Sequence, residues 1–152
     1  MRRALQRGTL TAGGCWVAET FHLLEEAARS GCEIPAVLVA QSAQPKIEWM
    51  AGKVAVIPDS VFGKLRSTES SQGVIALVRP RAWTLEQLFG ARPLVVVLDG
   101  LQDPGNAGSI VRAAEALGAT GVVFLKGSVS PFHPKTLRAS AGSLFRLPFV
   151  LS

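Results

Sequence analysis

The 152-residue chain lacks several features that define whole classes of protein. Its two cysteines, Cys15 and Cys32, are too few for a disulfide framework and do not have the C-x-x-C spacing of a metal site. Its longest uncharged, mainly apolar run, 116–125, is far shorter than the roughly 20 residues that cross a bilayer. The polar, glycine-rich stretch 9–14 stands where a signal peptide would carry its apolar segment. We therefore expect a cytoplasmic protein without a disulfide, a metal or a membrane span.

The sequence also has little concentration of charge. Its 16 Lys and Arg residues outnumber its 11 Asp and Glu residues, giving a net charge of +5 that is spread over both halves. The only small groups are Arg2, Arg3 and Arg7 near the start, and Lys64 with Arg66. Two interpretations stay open: an ordinary solvated surface, or a face that contacts the phosphates of a nucleic acid. The 48% of hydrophobic residues is enough for a packed core and excludes intrinsic disorder.

The first half of the chain predicts a small α/β domain over residues 1–80. Apolar residues at helical spacing predict a helix over 19–30, with Gly31 ending it. Asp59 is expected to cap a second, short helix that runs to Leu65. Runs rich in Val, Ile and Leu predict three strands, over 36–40, 53–57 and 73–78.

Pro80 interrupts the last of these strands, and we place a domain boundary there. Residues 81–92 are expected to form a linker that contains a short helix through Phe89, with Thr84 and Gln87 as its capping box. Alternating strands and helices are predicted beyond it: strand 94–98, a helix ending at Gly118, strand 121–125, helix 135–145 and strand 147–150.

The strand at 94–98 is apolar throughout, which is typical of strands buried on both faces of a parallel sheet. Three strands and two helices are too few to cover such a sheet. We therefore expect the second domain, 93–152, to be incomplete. Its exposed apolar residues are expected to include Val95, Val97, Val122 and Phe124.

The candidate functional residues lie in 103–114, at the predicted junction between a strand and a helix. Ligands of α/β sheets bind at such carboxyl-end crevices. Pro104 and Gly105 predict a tight turn with Asp103 as a turn former, Asn106 a side-chain helix cap, and Gly108 a close approach of another segment. Two glycines three residues apart do not make a phosphate-binding fingerprint, which argues against a nucleotide-binding oxidoreductase.

The pattern D-P-x-N-x-G-x-x-x-R-x-A in 103–114 resembles the first signature of the SpoU/TrmH family of RNA ribose 2′-O-methyltransferases, in the SPOUT class. The segment 135–148, K-T-L-R-A-S-A-G-S-L-F-R-L-P, is similar to the family's R-x-S-x-G…L-P segment. T-E-S-S-Q-G-V at 68–74 is similar to the stretch that closes the family's N-terminal substrate-binding domain. The three segments stand in the family's order, so the resemblance covers nearly the whole chain.

The resemblance implies a small N-terminal α/β substrate-binding domain followed by the first βαβ part of a SPOUT, or α/β-knot, domain. It also implies a homodimer that transfers methyl from S-adenosylmethionine to structured RNA, either rRNA or tRNA, without a metal. The family's G-S-E-G and S-L-N-V-S segments, which build the knot and most of the cofactor pocket, do not occur in this sequence. We therefore expect a partial form that is inactive alone and holds no cofactor-binding residue.

The resemblance assigns the catalytic roles to Arg112 and Asn106. A guanidinium group is a poor proton acceptor, so we expect Arg112 to orient the hydroxyl and stabilise the developing alkoxide rather than to act as a base. The alternatives without a catalytic role are that Arg112 is an ordinary surface arginine of a helix and that Asn106 only caps the helix. The candidate RNA-binding residues are Arg2, Arg3, Arg7, Lys64, Arg66, Lys135 and Arg138. The alternative function is that of a non-catalytic RNA-binding protein that lacks the methyl-transfer half.

Overall fold

The computed structural model describes residues 1–47, 53–66, 72–90 and 92–152, without the side chains of residues 2, 3 and 5. The chain forms two compact units, 1–80 and 81–152. The stretch 81–92, which the sequence predicts as a linker, thus falls within the second unit. Leu88 in this stretch is fully buried. The methyltransferase-like stretch T-E-S-S at 68–71 lies outside the described residues.

The first unit contains a four-stranded mixed sheet with the strand order β1-β4-β2-β3. Strand β3 runs parallel to β2, and β4 runs antiparallel to both β1 and β2. In chain order its elements are α1 (Arg2–Arg7), β1 (Trp16–Ala18), α2 (Phe21–Arg29), β2 (Ala36–Ala40), a 3₁₀ helix (Gln41–Ile47), β3 (Val54–Ile57), α3 (Asp59–Leu65) and β4 (Val74–Val78).

Burial and capping explain why α2 forms where it does. Thr20 has an extended backbone, and its side chain accepts a hydrogen bond from the N–H of Leu23 at 3.1 Å, which satisfies one free donor of the first turn. Leu23, Leu24 and Ala27 form the buried face of the helix. The core of the first unit also contains the fully buried side chains Trp16, Val37, Val39 and Ile75.

The directions of the strands bring four chain segments to one end of this sheet. Strands β1, β2 and β3 all end there, and β4 begins there, because β4 is antiparallel to its two neighbours. The segments that follow β1, β2 and β3 and the one that precedes β4 therefore lie together. This end of the first unit is where its polar side chains can converge.

The second unit is a parallel sheet with the order β5-β6-β7 and helices in its connections. Its elements are α4 (Leu85–Leu88), β5 (Val95–Leu98), α5 (Pro104–Ala116), β6 (Gly121–Phe124), α6 (Pro134–Ala139), a second 3₁₀ helix (Ser143–Phe145) and β7 (Phe149–Leu151). The predicted βαβ unit is confirmed, as is the mixed α/β class of the chain. Among the described residues, no helix is both long enough and apolar enough to span a membrane.

Two expectations about burial in the second sheet were wrong. The burial on both faces predicted for β5 was wrong, because β5 lies at an edge of the described sheet. Val97 is exposed as predicted, at 55%, whereas Val95 is half-buried. Val122 and Phe124 belong to β6, the central strand, and are 0% and 1% exposed. Phe124 also packs edge-on against Phe149 of β7, with ring centroids 6.1 Å apart. A run of apolar residues predicts that a strand forms, but it does not predict where that strand lies in the sheet.

Local geometry also corrects two predicted helices. The helix predicted over 135–145 ends at Ala139, because Ala141 and Gly142 adopt positive φ angles of 49° and 91° and break it before the second 3₁₀ helix. In α3 the capping position belongs to Pro58. The Asp59 carboxylate instead accepts hydrogen bonds from the backbone N–H and the hydroxyl of Ser42. The capping box of Thr84 and Gln87 is confirmed in α4.

Candidate active site

Helix α5 follows the carboxyl end of β5 after a loop, 99–103, and Asp103, the last residue of this loop, caps the helix. The Asp103 carboxylate accepts a hydrogen bond from the N–H of Asn106 at 2.7 Å, and Pro104 occupies the first turn. This hydrogen bond, with a smaller contribution from the Lys135 ammonium, lowers the pKa of Asp103 below its usual value. The predicted cap at Asn106 was therefore wrong: Asn106 lies inside the first turn, with its side chain exposed.

At Gly108, a glycine of the 103–114 motif, helix α5 lies close to α6. A Cβ at this position would lie 2.3 Å from the carbonyl oxygen of Thr136, 2.6 Å from the Cβ of Ala139 and 2.8 Å from the Ser140 nitrogen. The predicted close approach is confirmed, and the approaching segment is the backbone of α6. The glycine of the motif thus serves helix packing, which fixes α6 against the first turns of α5.

This packing brings Lys135 to the beginning of α5. Its Nζ lies 3.5 Å from Asp103 Oδ2, and its Cε would lie 3.2 Å from a Cβ at Gly105. Both charged side chains are about half-exposed, so the ion pair itself adds little stability. The ion pair matters for position, because it places the Lys135 ammonium group next to the Asp103 carboxylate at the turn that starts α5.

Arg112 is an exposed residue of α5. By helical spacing it lies on the same stripe as Gly108 and Glu115. Glu115 forms a two-pronged ion pair with Arg146, with N–O distances of 2.7 and 3.0 Å. The hydrogen bonds from Arg146 are the main reason that the pKa of Glu115 lies below its usual value. We call this stripe of residues 108, 112 and 115 the α5 ridge. Both of its ends are held by contacts, Gly108 against α6 and Glu115 with Arg146.

The structure does not place the two predicted catalytic side chains next to each other. Asn106 and Arg112 are six residues apart, which in a helix means about 9 Å along the axis and about 120° around it. Both side chains are exposed. A substrate that touches both must therefore lie along the helix rather than in a compact pocket.

The two loops at the carboxyl ends of β5 and β6 are tied to each other. The Ser128 hydroxyl donates to the carbonyl of Leu98 at 2.9 Å and accepts from the N–H of Leu101 at 3.3 Å. Gln102 Nε2 donates to the carbonyl of Gly127. These hydrogen bonds hold the two loops together at the edge of the sheet where α/β proteins bind ligands. The expectation that this chain holds no cofactor-binding residue stays a prediction.

His133, in the segment that leads into α6, acts as a helix cap. Its Nδ1 accepts a hydrogen bond from the N–H of Lys135 at 3.1 Å. Burial lowers the pKa of His133, and the nearby charges of Arg138 and Lys135 lower it further. Within the described ranges, no group of three or more His, Cys, Asp or Glu side chains is positioned to hold a metal.

The predicted RNA-binding residues fall into two sets, one in each unit. Lys135 and Arg138 lie one turn apart on α6, with Lys135 exposed and Arg138 half-buried. In the first unit, Lys64 and Arg66 are exposed at the end of α3, and Arg7 is exposed in the last turn of α1. The remaining two, Arg2 and Arg3, belong to α1, but their side chains lie outside the description.

The fold and the motif together define an α/β protein of the class that the sequence resemblance indicates. Residues 93–152 match the model of the SpoU rRNA Methylase family. These residues belong to this family, and the predicted resemblance to the SpoU/TrmH group is confirmed.

Similar proteins span both units of the chain. The 23S rRNA (guanosine(2553)-2′-O)-methyltransferase RlmP of Bacillus subtilis is 32% identical over 141 residues, which is 92% of this chain and 55% of that protein. The 23S rRNA (uridine(2479)-2′-O)-methyltransferase of Streptomyces viridochromogenes is 36% identical over 99 residues, 64% of this chain and 34% of that protein.

A solved structure shows the same architecture. The SpoU methyltransferase AviRb from Streptomyces viridochromogenes, in complex with the cofactor AdoMet, superimposes with a TM-score of 0.79 at 26% identity. The superposition covers 92% of this chain and 56% of that chain. The present chain thus spans about half the length of the Bacillus subtilis relative and of this solved neighbour.

Proposed function

We propose that the protein is an S-adenosylmethionine-dependent methyltransferase that modifies a ribose 2′-hydroxyl of structured RNA. The observation that carries the proposal is the 103–114 motif, which stands at the carboxyl end of β5 with α5 capped and α6 packed against Gly108. The activities of the relatives support ribosomal RNA as the substrate, with transfer RNA as the alternative. A homodimer belongs to the proposal on the resemblance alone, and a cytoplasmic location on the composition of the sequence.

Arg112 is the residue to which we assign the main catalytic role. S-adenosylmethionine would supply the methyl group: the O–C bond would form as the methyl C–S bond breaks, the thioether would leave, and the hydroxyl proton would pass to solvent. Negative charge therefore develops on the ribose oxygen as its proton is lost. An exposed guanidinium on the α5 ridge can donate hydrogen bonds both to this oxygen and to a neighbouring phosphate. Asn106, six residues earlier on the helix, would position the nucleotide through its amide.

The basic side chains are proposed to hold the RNA, not to take part in the reaction. Lys135 and Arg138 stand on α6 beside the start of α5, where they can contact phosphates that flank the reacting ribose. Arg7, Lys64 and Arg66 are proposed to contact RNA from the first unit, together with Arg2 and Arg3. Contacts of this kind make affinity fall as salt concentration rises.

The proposal is tested with the protein as its source cell makes it, incubated with ribosomal RNA and radiolabelled S-adenosylmethionine. Arg112→Ala should lower the rate of methyl incorporation by about 100-fold or more while RNA affinity stays within a few fold. Arg92→Ala, which removes another exposed arginine of the second unit, is the matched control and should leave the rate unchanged. An unchanged rate in Arg112→Ala would sink the catalytic assignment.

The same assay separates the two functions that the sequence leaves open. A protein that binds the RNA but incorporates no methyl group is the non-catalytic binding protein. Incorporation that depends on Arg112 supports the enzyme.

A further inference from the structure

A cavity of about 360 Å³ opens at the end of the first sheet, where β2 and β3 end and β4 begins. This volume lies within the range of about 300–1,000 Å³ that is usual for small-ligand sites. Gln72, the last residue of its lining named below, belongs to the T-E-S-S-Q-G-V stretch, and the cavity lies in a different unit from Arg112. Its lining includes Ser42, Asp59, Phe62, Gly63, Arg66 and Gln72.

One wall of the cavity is a hydrogen-bond acceptor held in a fixed position. The N–H of Ser42 donates to Asp59 Oδ2 at 3.3 Å, and the hydroxyl of Ser42 donates to Oδ1. Each carboxylate oxygen can accept two hydrogen bonds, so Asp59 keeps acceptor capacity after binding Ser42. Its side chain is exposed. The wall therefore suits a ligand that presents N–H donors.

Other lining residues provide a positive charge and an apolar surface. Arg66 is exposed where α3 ends, and Lys64, also exposed, precedes it by two residues. Phe62 is 4% exposed and gives the lining an aromatic side chain. Gln72 is held by the N–H of Phe21, which donates to its Oε1 at 3.3 Å. A nucleotide matches the exposed acceptor and the exposed cation, because its base can present N–H donors and its phosphate is negatively charged.

We propose that this cavity binds one unpaired nucleotide of RNA whose base carries an exocyclic amino group. The amino group donates to Asp59, and the phosphate lies at Arg66. An unpaired base is required because only its free edge can reach the carboxylate, as in sequence-specific binding of single-stranded RNA. The choice of RNA as the ligand rests on the proposed function, whereas the choice of base rests on Asp59.

The test compares two labelled hexaribonucleotides, r(C)6 and r(U)6, by fluorescence anisotropy at low salt with the full chain and no methyl donor. Cytosine carries an amino group where uracil carries a carbonyl oxygen. One hydrogen bond to a partly solvated carboxylate should favour r(C)6 by about fivefold. Asp59→Asn should remove this preference, because an amide offers a donor and an acceptor alike.

A second variant blocks the cavity without straining the fold. Among the described residues, a Cβ at Gly63 would meet no atom within 4 Å, and α3 is helical there, so Gly63→Leu fits the backbone and occupies the site. It should weaken binding of both hexamers by at least about fivefold. Gly90→Leu is the matched control, since Gly90 is exposed, a Cβ there also meets no described atom within 4 Å, and it lies in the second unit.

Equal affinities of the wild type and Gly63→Leu for r(C)6 would overturn the site. A preference for r(C)6 that survives in Asp59→Asn would overturn the role of the carboxylate. Absence of binding by the wild-type chain would overturn the proposal as well. The methylation assay on Arg112 is independent of these results, because it measures a reaction in the other unit, so the two proposals can fail separately.

Discussion

The two units of the chain use their polar side chains in opposite ways. In the second unit, the loops beyond β5 and β6 bind each other through Ser128 and Gln102. In the first unit, Ser42 and Asp59 bind each other but still line an open cavity. The most recognisable motif of the sequence, 103–114, thus lies where packing is tight. The cavity lies beside the end of the shorter 68–74 motif, where polar side chains stay accessible.

The largest expected effect tests whether the stretch 81–92 is part of the second unit or a linker. Leu88 is 0% exposed, and its Cγ would lie 2.2 Å from a Cβ at Gly121 of β6. Leu88→Ala should therefore destabilise the second unit by about 2–5 kcal/mol. Hydrogen exchange resolved along the chain measures each unit separately.

The exposed Leu85, in the same helix, supplies the control for this prediction: Leu85→Ala should have little effect. Equal protection of β6 in the wild type and Leu88→Ala would show that 81–92 is a linker after all.

A matched pair of glycines sharpens the contrast in packing between the units. Gly108→Ala should destabilise the second unit by about 1–3 kcal/mol, because its Cβ meets the backbone of α6. Gly63→Ala should stabilise the first unit by about 0.5–1 kcal/mol, because alanine is the better helix former and the space is open. Urea denaturation of the two variants measures both changes. Effects of the same sign would contradict the packing described here.

The smallest effect concerns the ion pair that fixes one end of the α5 ridge. Glu115 and Arg146 are partly exposed, so a double-mutant cycle with Glu115→Gln and Arg146→Gln should give a coupling of about 0.2–1 kcal/mol. Since the pKa of Glu115 is lowered in the folded state, its contribution is present at neutral pH and is lost as the pH falls through that lowered pKa. The stability of Glu115→Gln should therefore depend less on pH in the acid range. An unchanged pH profile would contradict this contribution.

Much of the secondary structure could be predicted because it follows from local patterns. Strands β2, β3 and β4 are runs of apolar residues, and α4 carries a capping box whose two members are three residues apart. Strand β1 was missed because three residues are too few to show a period of two. Helix α1 was missed because its six residues, R-R-A-L-Q-R, contain little apolar periodicity.

The details of the site were harder to predict, and each failure has a physical reason. Asp103 and Asn106 are both good capping residues, but Pro104 fits best at the first helical position, which makes Asp103 the cap. The place of β5 at an edge is set by the strand order, which an apolar sequence does not encode. The cavity could not be predicted because Ser42, Asp59 and Gln72 come from three separate segments.

The measurement that tests the central claim most directly is the chemical position of the methyl group. Ribosomal RNA is incubated with the protein and labelled S-adenosylmethionine, then digested to nucleosides and analysed by mass spectrometry. The account predicts a 2′-O-methylated nucleoside that is lost with Arg112→Ala and kept with Arg92→Ala. A label on a base instead of the ribose, or a ribose label that is independent of Arg112, would contradict it.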